Sequence, residues 1–161
     1  MTFLDVFSDF DAYETSYLIG VVIGVFAVVL IPAIFYLLTL QNTLKAIRPE
    51  NRTMTPGNVW LMLIPLFNLV WMFIMITRIA DSIRNELNAR GTVTNERPTY
   101  NIGLVWCILF LVGRIPFIGG LFSLGCLVCW IIHWVKVNEY KKQFLAEPYE
   151  PVQDSQIFGH L

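Results

Sequence analysis

Cys126, Cys129 and His133 stand at i, i+3 and i+7 within one long apolar stretch. On a helix this spacing brings two thiols and an imidazole onto one face. Thiolate and imidazole are the donors of a zinc-type site, and a Cys-x-x-Cys pair can run dithiol exchange. A closed metal site needs a fourth donor, and Cys107 is the one other thiol in the chain. Cysteine is also an ordinary small apolar residue in membrane helices. His133, between Trp130 and Trp134 and close to Lys136, suits the aromatic belt at a bilayer interface. The stripe is therefore a weak metal or redox candidate, and no resident cofactor is expected. There is no phosphate-cradling glycine loop, catalytic triad or pair of buried carboxylates, and Asp81 and Glu86 read as solvated charges on a wet helix face. The balance leans away from an enzyme.

The elements that must carry these residues are apolar enough to live in lipid. Of 161 residues 56% are hydrophobic and only 14% charged, with a mean hydropathy of +0.61. A soluble domain would be about one quarter charged. The net charge of −1 says nothing about nucleic acid, but no basic patch interleaved with aromatics appears, so no nucleic-acid partner is expected. The pattern predicts an all-α membrane bundle of about four embedded helices, at about 17–40, 59–79, 102–113 and 119–136, broken at Pro65 and Pro116. These form a single membrane domain over 17–142. An acidic segment, 1–16, precedes it without the basic start of a signal peptide, and a polar tail, 143–161, follows.

Tyr17 to Leu40 carries no charge and is long enough to cross a hydrocarbon core of about 30 Å. Gly20 and Gly24 in it form a small-xxx-small pair suited to close helix packing, within the chain or between chains. Thr55 and Pro56 read as an N-cap and first helical position. Ile76, Ile79, Ala80, Ile83 and Leu87 keep a helical stripe beyond the second apolar run, which predicts an amphipathic surface helix over 78–90 that stops at Gly91. Glu86 and Arg90 form an i,i+4 pair on it. Arg114, in "GRIPFIGG" (113–120), marks the tip between the third and fourth segments. Trp60 before Ile64-Pro65, and Trp106 before Ile115-Pro116, give the two halves a loose internal repeat.

"LIPLFNLVW" (63–71) is the structural pivot. Pro65 breaks a helix ladder, and the Asn68 amide can serve backbone groups freed by the break. Two topologies follow. A kinked full span is the commoner solution, with Asn68 bonding between helices. A re-entrant turn is the other, allowed at membrane depth only where packed against protein. Lys and Arg flanking membrane segments stay in the cytoplasm, so Lys45, Arg48 and Arg52 place the N-terminus outside. Four simple spans would then put Arg78, Arg84, Arg90, Arg97, Lys136, Lys141 and Lys142 outside as well. A re-entrant second segment keeps every basic residue except Arg114 inside.

From Trp60 to Ile83, "WLMLIPLFNLVWMFIMITRIADSI" resembles small bacterial multi-pass membrane proteins grouped as domains of unknown function. Several such groups carry a Trp, an Ile-Pro-x-x-Asn core and a long helix leaving toward basic residues. The resemblance covers 58–88 well and 106–142 loosely, the latter with Gly119-Gly120 in place of the amide. It implies a helical protein of the bacterial inner membrane and carries no activity. The expected function is a non-catalytic scaffold, accessory subunit or homo-oligomer that meets the lipid bilayer and a membrane protein partner or its own copies. The alternative is an oligomeric channel or transporter, since broken helices line solute sites in transporters. The scarcity of ionisable residues in the apolar segments speaks against it.

Overall fold

The computed structural model describes residues 12–115 and 119–147. Among them every regular element is helical: α1 (Ala12–Ala46), α2 (Pro65–Ala89), α3 (Tyr100–Val112) and α4 (Gly119–Ala146). Two 3-10 segments, Pro49–Asn51 and Pro56–Leu63, lie between α1 and α2. Pro116 lies outside the described residues, as do most of the predicted acidic start and polar tail.

The chain divides into two compact units, Met1–Leu37 and Leu38–Leu161. The described part of the first is α1 up to Leu37, apolar and largely exposed from Tyr17 to Phe35. Pro32 lies inside α1 without ending it. A methyl group at Gly20 or Gly24 would touch no described atom.

In the second unit the chain reverses direction at Ile64–Pro65. The Trp71 indole donates to the Asn58 carbonyl at 3.0 Å. In a continuous helix those residues would be about 20 Å apart, at about 1.5 Å per residue. The pairing continues in antiparallel order: Thr53 bonds to Ser82 and Arg78, and Asn51 to Glu86. The chain therefore folds back at Pro65 and does not continue as a kinked helix. Local chemistry explains the turn. Ile64 is extended (φ −81°, ψ 113°), the conformation favoured before proline, and Pro65 opens α2 where its missing N–H costs nothing. Pro56–Leu63 is a 3-10 helix rather than an α-helix; Thr55 stands at its N-cap without a side-chain bond.

Asn68 departs from its expected role. Its backbone N–H donates to Ile64 O at 2.8 Å, closing the first turn of α2. Its side-chain Oδ1 is buried without a hydrogen-bond partner among the described residues, so the amide oxygen does not serve the break.

α3 and α4 make a second hairpin with Arg114 near its tip, the guanidinium 4.7 Å from the centre of the Phe110 ring. The two halves thus share one plan, a short arm carrying Trp60 or Trp106, a turn, and a long arm. Gly103 lets the hairpins meet. A Cβ there would lie 2.6 Å from Ile76 Cγ2 on α2 and 2.9 Å from His133 Cδ2 on α4. The predicted stripe, Ile76, Ile79, Ala80, Ile83 and Leu87, forms the buried face of α2.

α2 ends as predicted. Gly91 is left-handed (φ +89°), Thr92 N–H donates to Leu87 O at 3.0 Å, and Gly91 N–H to Asn88 O at 3.1 Å. This is a Schellman closure, which a side chain at the left-handed position opposes. Gly91→Ala is expected to cost about 1 kcal/mol, read as a lowered thermal midpoint in detergent solution. An unchanged midpoint would refute the cap assignment.

Candidate functional site

Glu86 is the centre of the polar structure. Counting from the apolar stripe, it stands seven residues after Ile79 and three after Ile83, on the buried face, and it is 0% exposed. The reading of Glu86 as a solvated charge is corrected: its i,i+4 partner Arg90 is there, but the carboxylate is buried and the guanidinium mostly so. Arg90 Nε donates to Oε1 at 2.8 Å, and Asn51 Nδ2 to Oε2 at 2.7 Å. Arg48 donates to Oε2 through its backbone N–H and Nε, at 3.2 and 3.4 Å. Burial pushes the carboxyl up, and the bonds from Asn51, Arg90 and Arg48 together outweigh it, leaving Glu86 below its ordinary range.

Arg90 extends the network. Its NH1 donates to the Glu147 carbonyl and its NH2 to Phe144 O at 3.4 Å, with the guanidinium 5.0 Å from the Phe144 ring centre. Arginine donors at a helix C-terminus satisfy carbonyls left without an intrahelical partner. Arg52 does the same for α1, donating to Ile47 O and Lys45 O at 2.7 and 3.0 Å. One carboxylate thus joins the first loop, α2 and the end of α4. Asp81, also expected to be solvated, is mostly buried between Arg97 (2.9 Å) and Arg84 (3.4 Å). These contacts bring charge close without the alignment of a hydrogen bond.

Beside this network, at the mouth of the second hairpin, lies a polar cleft of about 430 Å³. Loop residues Glu96 to Thr99 and the first turn of α3 form one wall, Lys136 and Tyr140 of α4 the other. A second cavity of about 330 Å³ adjoins it through the same Lys136 and Tyr140 and adds Glu139 and Gln143. Burial first, then the Glu139 and Glu96 carboxylates, pushes the Tyr140 phenol up, so both acids act on that ring. Thr99 is in the left-handed region (φ 67°), which β-branched residues rarely adopt, and as N-cap of α3 it makes no side-chain cap bond.

Of the Cys/His stripe, His133 lies in the core. His133 is fully buried, its ring 6.4 Å from that of Trp106 and against the Gly103 backbone. It is thus a core residue rather than part of an exposed belt. Cys126 and Cys129 are half-buried free thiols, and Cys107 is buried. Among the described residues no group of three or more His, Cys, Asp or Glu side chains comes together as a metal ion needs.

Sequence reasoning overlooked the Glu86 network and the cleft. The periodicity of Ile79, Ile83 and Glu86 was the available signal for the first. For the second no local pattern exists, because its walls lie more than thirty residues apart. Comparison with protein-family models, curated proteins and solved structures finds no match.

Proposed function

We propose that the protein is a small multi-pass component of a bacterial inner membrane that acts without catalysis, as a scaffold, accessory subunit or homo-oligomer. One observation carries this reading. The buried carboxylate, the best placed group for acid or base chemistry, is enclosed and bound on both oxygens. Its chemistry is spent on holding the chain together.

Two helices, α1 and α2, are long and apolar enough to cross a membrane. In the topology we favour, α1 spans and both hairpins return to the side they entered. The 3-10 arm Pro56–Leu63 rises about 16 Å at about 2.0 Å per residue, about half a hydrocarbon core. α3 rises about 20 Å, which brings Arg114 within snorkelling reach of the far headgroups. The contacts of Arg48, Asn51 and Thr53 with α2, and of Arg90 with α4, agree with one shared polar end. With the N-terminus outside, ten of the eleven basic residues are then cytoplasmic.

Single cysteines placed at the exposed positions Asn88, Val93 and Leu145, in a chain whose native cysteines are serine, test this topology. Labelling by an impermeant maleimide only from the cytoplasmic face is expected at all three. Labelling of Asn88 or Val93 positions from outside would sink the re-entrant arrangement. For the function, purified protein in liposomes is expected to pass no ions or small solutes; flux would overturn the scaffold reading in favour of a channel.

A further inference from the structure

The first turn of α3 is built without its acceptor. Tyr100 N–H donates to Arg97 O and Gly103 N–H to Thr99 O, at 3.2 and 3.0 Å. The Asn101 and Ile102 amides, which an N-cap hydroxyl ordinarily satisfies, have no acceptor among the described residues. The Thr99 hydroxyl is likewise without a partner among the described residues, although the residue is only 8% exposed. Two donors and a buried hydroxyl thus meet where the helix dipole favours negative charge. All of this lies on the wall of the cleft, opposite Lys136, which forms no ion pair among the described residues.

The opposite sign is close by. Glu96 lies on the cleft and Glu139 in the adjoining cavity, neither paired with a cation among the described residues. The two cavities share Lys136 and Tyr140, so an anionic and a cationic subsite stand side by side.

We propose that this cleft binds a phosphoethanolamine group, its phosphate at the α3 N-terminus and Lys136, its ammonium at Glu139. An aminophospholipid headgroup and its water-soluble glycerol ester both present that group. The assignment to lipid rests on the membrane reading above, which puts Tyr100 and Lys136 at the ends of embedded segments, at headgroup depth. Phosphate alone would leave Glu139 facing like charge, and a bare amine would leave the helix terminus unfilled.

The test uses the full chain, delipidated in detergent, and native mass spectrometry with dioctanoyl-phosphatidylethanolamine, dioctanoyl-phosphatidylglycerol and glycerophosphoethanolamine. Wild type is expected to prefer the ethanolamine lipid over the glycerol lipid by at least fivefold. Lys136→Ala should weaken binding of the former at least tenfold. Glu139→Gln should abolish the preference while keeping the glycerol lipid bound. Both positions are exposed, and unchanged thermal midpoints check that the variants fold. Competition by glycerophosphoethanolamine at comparable concentration supports the group in its soluble form; failure to compete supports the lipid. Equal binding of the two lipids by wild type, or Lys136→Ala within twofold of wild type, overturns the proposal. Outside labelling of Asn88 or Val93 positions would sink the topology and leave binding to the cleft unaffected, so the two failures are distinguishable.

Discussion

Glu86→Ala is expected to destabilise the fold by about 3 kcal/mol, because removing one member of a buried charge cluster strands the others. Arg48 would lose its two bonds to Glu86, Asn51 its shortest bond, and Arg90 the partner that aims it at the end of α4. Glu86→Gln keeps the shape and two acceptor lone pairs but not the charge, so about half of that loss is expected. The pH dependence follows from the direction of the shift. The folded carboxyl titrates below its ordinary 4.5, so the stabilisation is complete above that value and disappears as pH falls through the lower, folded one. Wild type should therefore lose thermal midpoint below about pH 4.5 more steeply than Glu86→Gln does. Parallel acid profiles for the two proteins would remove Glu86 from its central place.

Gly103→Val is expected to cost about 3 kcal/mol and Gly103→Ala about 2, the range of overpacking in a close-packed core. Even the alanine methyl would lie 2.6 Å from Ile76 Cγ2 and 2.9 Å from His133 Cδ2. Neither neighbour yields easily, since one is a methyl on a stiff β-branched residue and the other belongs to a buried ring. Ile76→Ala removes the methyl that clashes and leaves space. Combined with Gly103→Ala it should cost at least 1 kcal/mol less than the two changes summed. Additive losses would mean that the two positions do not touch, and the joining of the hairpins at Gly103 would be wrong.

Much of the fold could be read in advance where the cause is local. Uncharged length marked α1, the stripe from Ile76 to Leu87 marked the buried face of α2, and Gly91 marked its end. Glu86 shows how a legible signal was outweighed. It repeats the register of Ile79 and Ile83, yet its charge argued for water, and only donors from Arg48 and Asn51 in a distant loop, with Arg90 one turn on, make burial tolerable. The stripe of Cys126, Cys129 and His133 shows the converse. Residue type and spacing pointed to ligation, while burial against Trp106 and Gly103 makes the imidazole a packing group.

"LIPLFNLVW" separates the two kinds of information most cleanly. By itself the sequence marked Pro65 as a break point, because a proline ring removes a ladder hydrogen bond and favours an extended residue before it. It did not determine whether the halves would continue or fold back, since a kink and a reversal begin from the same local break. Tertiary structure decided that through Trp71 on Asn58, Thr53 on Ser82 and Asn51 on Glu86. Each joins residues more than ten positions apart, and such contacts compete as a set, not one residue at a time. The same holds for the cleft of Thr99 and Lys136, whose donors acquire a common target only when α4 folds back beside α3.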